Sequence, residues 1–303
     1  MYEVLGLFVL FIVGIMLISE GGHLAHLKFF TFPITPMSKT TLVLDELNNI
    51  EICHQGAHPN SWLCEGKEQF FVSEKALYQP GQAIRGGVPL IFPQFGAFGS
   101  GAKHGFARTA DWTQGKVTEN SIEFFLSDSE ATLAVWPHKF DARFTTTLSQ
   151  NSLTMSLHVS NTGDASCEFT AALHTYFRVS DILQTRIGGL QGSMYWDNNG
   201  SEFSQRYADE RKLFSLDTSM DRVYFDVDNA VTINEDHQTR NIVATGFRDV
   251  VVWNPWLEGA RDLSDMAESE YRNMLCVESA TVDQPTQLAP GESWLGEQKI
   301  TLR

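Results

Sequence analysis

The sequence predicts an all-β protein, a large antiparallel β-sandwich over residues 37–303. Two observations carry this. Apolar and polar residues alternate along many short runs, which is the period of a half-buried strand. Glycine or Asn/Asp clusters punctuate those runs, while the 3.6-residue period of an amphipathic helix is nearly absent.

From Thr40 onward the chain reads as strands. Ile122 to Leu126 and Arg143 to Leu148 alternate in this way. Leu153, Met155, Leu157 and Val159 alternate with Thr154, Ser156 and His158. Asn161-Thr162-Gly163-Asp164 then reads as a turn, and a further strand starts at Ser166. Ala230 to Ile233, Ile242 to Thr245, Val250 to Trp253 and Met274 to Val277 follow the same rule. A helical turn is expected only near Leu257 to Met266. No repeat, low-complexity tract or linker appears after Pro36, and one domain can hold a sandwich of this length.

Residues 1–36 form a separate hydrophobic extension. Val4 to Ile18 is unbroken apolar sequence. As a helix it would reach only about 22 Å, short of a ~30 Å hydrocarbon core. Met1-Tyr2-Glu3 lacks the basic residues of a signal peptide, and no A-x-A site follows. The readings are a tilted membrane anchor, a weak signal sequence, or a mis-called start with Met37 as the true first residue. Any membrane contact is expected only through Val4–Ile18.

Composition narrows the partners. The 303 residues are 43% hydrophobic and carry a formal charge of −15. An acidic chain offers no basic field for nucleic acid, and an anionic substrate must be held by a local cluster of cations. Cys53, Cys64, Cys167 and Cys276 are scattered, with no C-x-x-C pair and no zinc spacing. They are read as reduced thiols of a cytoplasmic protein, and neither a metal nor a cofactor is expected.

Three stretches depart from plain strand chemistry. "AIRGGVPLIFPQFGAFGSGAKHGFART" (83–109) sets Arg85, Lys103, His104 and Arg108 around a loop rich in glycine and proline. In "CEFTAALHTYFRVSD", Cys167, Phe169, Ala171, Leu173, Thr175 and Phe177 share one face, leaving His174 and Tyr176 on a second, mixed face. In "NMLCVESAT", Glu278 shares the parity of Met274, Cys276 and Ala280, where a carboxylate is costly unless paired or protonated. Each has a plainer reading taken alone: a twist that solvates Glu278, a hydrogen-bonded structural His174, surface arginines in weak ion pairs.

"IRGGVPLIFPQFG", "HGFAR", "ALHTYF", "MDRVYF", "VVWNPW" and "CVESA" occur in this order, after "GAHPNSW" at Gly56–Trp62. From about Leu42 to the C-terminus the chain resembles the aldose 1-epimerase (mutarotase) superfamily, and within it the glucose-6-phosphate 1-epimerase branch. The resemblance implies a galactose mutarotase-like sandwich with sugar bound in a cleft on one sheet. It implies His174 as general acid, Glu278 as general base, Asp221 as a sugar-binding carboxylate and His104 as a second substrate-binding histidine. Lys103 departs from the small or amide residue usual at its place.

Exchange of α and β anomers takes a proton from the O1 hydroxyl and gives one to the ring oxygen, which an acid and a base on opposite sides of the sugar can do. A histidinium can donate, and a desolvated Glu gains basicity. Arg85 and Arg108, assisted by Lys103, are expected to clamp the phosphate of a hexose 6-phosphate by bidentate pairing. Trp62, Trp253 and Trp256 could stack on a sugar face. The expected state is a monomer. The alternative is a non-catalytic carbohydrate-binding sandwich or sugar sensor, which would need neither His174 nor Glu278.

Overall fold

The computed structural model describes residues 11–16, 28–33, 37–97, 99 and 101–303. The chain divides into two compact units, Met1–Met37 and Ser38–Arg303. In the first, strand Phe11–Met16 pairs antiparallel with Lys28–Pro33. This corrects the helical reading of the apolar run at those positions. Ile12, Val13 and Ile15 are β-branched, which disfavours a helix and suits a strand. The remainder of Val4–Ile18 lies outside the described residues. Among the described residues no helix is long and apolar enough to cross a membrane.

The second unit is built from antiparallel strands, as the alternation predicts. A nine-stranded sheet contains Phe140–Ser149, Ser152–Asn161, Gln238–Thr245 and Ser293–Leu302 in its middle. An eight-stranded sheet runs Tyr207–Ala208, Met194–Asp197, Met220–Tyr224, Asp249–Asn254, Met274–Leu288, Cys167–Leu173, Leu90–Ile91, with Tyr176–Arg178 also pairing with Met274–Leu288. Four strands from Lys39–Asp45 to Lys67–Glu68 form a smaller sheet.

One apolar core joins the three. It takes Phe144, Leu157 and Ile300 from the nine-stranded sheet, Leu173, Val252 and Val277 from the eight-stranded sheet, and Ile50 and Trp62 from the small one. A polar chain crosses it: Thr175 donates to Gln298 Oε1 at 2.7 Å, and Gln298 Nε2 donates to Ser279 Oγ at 2.9 Å. Buried polar groups are tolerable when paired in this way.

The helical turn expected near Leu257–Met266 is a helix at Trp256–Asp262. A second short helix, Glu130–Val135, was not expected. Ser129 caps it, accepting from Thr132 N–H, while the Thr132 side chain bonds back to the Ser129 N–H.

Candidate active site

The eight-stranded sheet has a face turned away from the main core, and two rows of side chains cross it. In the first, Asp221 pairs in register with Trp253, Trp253 with Cys276, and Cys276 with Tyr176. In the second, Val223 pairs with Val251 and Val251 with Glu278. Leu173 faces Ser279 and Tyr176 faces Cys276, so the same register sets His174 opposite Glu278. The parity read from the sequence explains why. Cys167, Phe169, Ala171, Leu173 and Phe177 enter the main core, while Tyr176, Met274 and Cys276 pack in a satellite cluster on the other face.

The arginine-glycine segment is the neighbour of His174. The His174 N–H donates to Pro89 O at 3.1 Å and the Tyr176 N–H to Gly87 O at 2.9 Å, and Leu90 and Ile91 pair with Leu173 and Ala172. Gly86 and Gly87 turn the chain at φ +120 and +59. A Cβ on Gly86 would lie 2.4 Å from Phe71 O, and one on Gly87 2.2 Å from Pro59 O. No side chain fits either place, and both angles favour glycine. The turn delivers Arg85, whose Nε donates to Asp265 Oδ1 at 3.2 Å and whose Nη1 donates to the Tyr176 hydroxyl at 3.0 Å.

The next loop brings the other cations. The His104 N–H donates to Gly96 O at 2.8 Å, and the Gly96 N–H donates to His104 Nδ1 at 3.2 Å. An accepting Nδ1 leaves the ring proton on Nε2. His104 holds φ +68, an uncommon angle for a residue with a Cβ. Arg108 donates from Nη2 to Lys103 O at 2.8 Å, and its buried Nε has no partner.

Arg85, Lys103, His104, Arg108, His174, Asp221 and Glu278 all line one cleft of about 610 Å³. The Glu278 side chain is 2% exposed and its Oε1 lies 3.2 Å from His174 Nδ1. The contact is not aligned as a hydrogen bond, for both His174 Nδ1 and Glu278 Oε2 are buried without one. The two groups are therefore adjacent, not on opposite sides of a sugar as expected. The chemistry permits this, because O1 and the ring oxygen are both bonded to C1.

The family described as Aldose 1-epimerase matches residues 40–301. The chain belongs to the aldose 1-epimerase family. The epimerase is an isomerase that interconverts sugar anomers, and its fold is galactose mutarotase-like. It is 35% identical to "Putative glucose-6-phosphate 1-epimerase" of Cenchrus ciliaris, over 86% of this chain and 84% of that one. It is 32% identical to the protein of the same name from Escherichia coli (strain K12), over 86% of this chain and 96% of that one. A solved structure of a "putative mutarotase" from Salmonella typhimurium superimposes with a TM-score of 0.77 at 27% identity, covering 85% of this chain and 88% of that one.

The cleft of the epimerase shifts its own titrations. Burial raises the Glu278 carboxyl well above the usual range, and the Asp221 charge adds to this. Burial also lowers His174 well below its ordinary value, reinforced by His104, Arg85 and Arg108. These shifts favour a neutral imidazole at His174, so the donating histidinium must form at the moment of reaction. His104 is held at about 3, first by burial and then by Arg108 and Lys103. Arg108 is lowered by burial, and Arg85 lowers it further. Asp221 is raised by burial, although Asn198 Nδ2 donates to its Oδ2 at 2.8 Å.

Of the three tryptophans, only Trp253 lines the cleft. Trp62 is 0% exposed within the core, so it is no sugar platform. Trp256 packs on the main core and against Tyr271 instead. Tyr176 also lines the cleft, as its mixed face with His174 led us to expect, whereas Trp196, Asn198 and Asp265 line it without having been expected there. Tyr176 was legible from its shared parity with His174. Asp265 follows a helix, and no pattern in the chain links it to Arg85.

Proposed function

We propose that this epimerase acts on hexose 6-phosphates, with Glu278 as base, His174 as acid, and Arg108 with Arg85 as the phosphate-binding group. The observation that carries the substrate class is Arg108. Its Nε is buried without a partner and it sits near a second arginine, so burial and like charge both oppose its cation. A dianionic phosphate relieves both. A neutral sugar relieves neither. The two relatives named above bear a glucose-6-phosphate name, which supports the same substrate.

Glu278 removes the O1 proton, its basicity raised by desolvation. His174 delivers a proton to the ring oxygen as the C1–O5 bond breaks. The ring opens, C1–C2 rotates, and reclosure returns both protons with O1 on the other face. Phosphate beside the arginines weakens their contribution to the shift that burial imposes on His174, so substrate arrival favours the donating form. Arg85, already tied to Asp265 and Tyr176, holds the wall in place, while Arg108 supplies the open cation. His104, neutral and protonated at Nε2, is a donor for a sugar oxygen. Asp221, oriented by Asn198, accepts from a sugar hydroxyl.

The test is Arg108→Ala assayed on glucose 6-phosphate and on glucose. Loss of one charge-assisted pair weakens phosphosugar binding by about 1.5–3 kcal/mol, roughly 10- to 150-fold in KM, with exchange of free glucose nearly unchanged. Equal losses on both sugars would remove the phosphate role.

A further inference from the structure

The strand register sets His174 beside the strand that carries Cys276 and Glu278: one ring nitrogen of His174, the Sγ of Cys276 and a carboxylate oxygen of Glu278 lie within 4.8 Å of one another, His174 and Glu278 lining the cleft and Cys276 buried behind them. From this juxtaposition we infer a binding site for a thiophilic divalent cation, zinc being the best fit, whose occupation shuts the enzyme.

The donor set is a nitrogen, a sulfur and an oxygen. That combination suits zinc and cobalt and is poor for magnesium or calcium, which prefer oxygen alone. Tetrahedral zinc with bonds of 2.0–2.3 Å places neighbouring ligand atoms roughly 3.3–3.6 Å apart. His174 Nδ1 and Glu278 Oε1 are already at 3.2 Å, so the nitrogen–oxygen edge of the tetrahedron is nearly formed. The sulfur needs a small movement toward them. Cys276 and Glu278 are two apart on one strand and project from the same face, which directs that movement correctly.

Vacant coordination capacity supports the same reading. His174 Nδ1 and Glu278 Oε2 are buried and make no hydrogen bond, and Glu278 is 2% exposed. Buried polar atoms in this state favour any partner that satisfies them. Cys276 is a free, buried thiol. The cleft, lined by His174 and Glu278, supplies the entry path. Thiolate and carboxylate together neutralise the dication, which offsets the nearby arginines.

The inhibitory consequence rests on the acid/base reading of His174 and Glu278. A metal there takes the carboxylate oxygen of the base, so Glu278 can no longer accept the O1 proton, and it fixes the His174 ring as a ligand. Cys276 itself does no proton transfer in the reaction, so its thiol is dispensable for turnover.

The experiment uses the full chain with cobalt(II) as a spectroscopic probe and zinc(II) as inhibitor. Cobalt should produce a thiolate-to-metal charge-transfer band at one equivalent, absent in Cys276→Ser and in Cys276→Ala. Zinc should inhibit glucose 6-phosphate anomer exchange reversibly, with recovery on adding a chelator. Removing a ligand should raise the inhibitory zinc concentration at least as much as the 10–100-fold seen for loss of an outer partner. Exchange in metal-free buffer should stay within about twofold of the parent. No charge-transfer band in the parent protein, or a band unchanged in both Cys276 variants, overturns the site. A Cys276-dependent band without inhibition supports the site and refutes the acid/base roles instead. Where a Cys276 variant fails to fold, weakened cobalt binding in Glu278→Gln supports the site, and binding unchanged in that variant overturns it.

Discussion

His58 lies beneath the arginine turn, and its titration ties the stability of the fold to the cleft. The side chain is 1% exposed. Its Nε2 has no partner, so its hydrogen bond to the Gly86 backbone is made through Nδ1. Burial, with Arg108 and Lys39 adding to it, holds His58 at about 3 against an ordinary 6.5. A folded-state value below the unfolded one means that stability is present above pH ~6.5 and is lost as pH falls toward the folded value. Between about pH 6 and pH 4 the unfolded chain binds nearly one proton at His58 that the native state does not. The slope is then about 1.3 kcal/mol per pH unit, or roughly 2 kcal/mol lost from pH 7 to pH 5. His104, also held at about 3, acts in the same direction. Together they remove about 4 kcal/mol, a large part of a typical 5–15 kcal/mol. Glu278 acts oppositely, because its raised value penalises the native state as pH rises. The slope of the whole protein is therefore a difference, and a variant is needed to isolate His58. His58→Asn keeps a donor near the Nδ1 position and removes the titration. Urea unfolding at half-unit steps from pH 7 to pH 4.5 should show a slope lower by about one proton. An unchanged slope, whatever the offset in stability, refutes the buried neutral imidazole.

Glu278→Gln should lower anomer exchange by about 10²–10⁴-fold with circular dichroism unchanged, and full activity in that variant would end the base assignment. In the parent, kcat/KM should fall as pH drops through a Glu278 ionisation lying above the ordinary carboxylate range, since only the deprotonated form can act as base; a limb at an ordinary carboxylate position contradicts the desolvated site. A chain starting at Met37 should be soluble and as active as the full chain, because every cleft residue named above follows it; an insoluble or inactive product would make residues 1–36 part of the domain.

The strand chemistry of this protein was legible in its sequence. Period-2 alternation is a local property, and residues such as Leu153 to Val159 carry it within one strand, so the all-β class and most strand positions followed. The off-pattern placement of Glu278 and the mixed face of His174 and Tyr176 were legible for the same reason. The arginine-glycine segment stood out by its own composition, and resemblance added Asp221 and the substrate-binding role of His104. Other features depended on contacts between distant segments. Trp62 has the same composition as a stacking platform, and only packing against Phe70 shows that it is core. The run at Phe11–Met16 is apolar in either conformation, and pairing with Lys28–Pro33 decides for strand. The Arg85–Asp265 pair spans 180 residues and has no local signature. His174 and Glu278 were expected to flank the sugar, but the register between their strands sets them side by side. The same register brings Cys276 to them, so a cysteine without zinc spacing in sequence stands within reach of two further donors. Sequence determines which face of a strand a side chain occupies, because that depends on its own neighbours. Which side chains meet across a sheet, and hence their burial and proton affinity, depends on how strands far apart in the chain are paired.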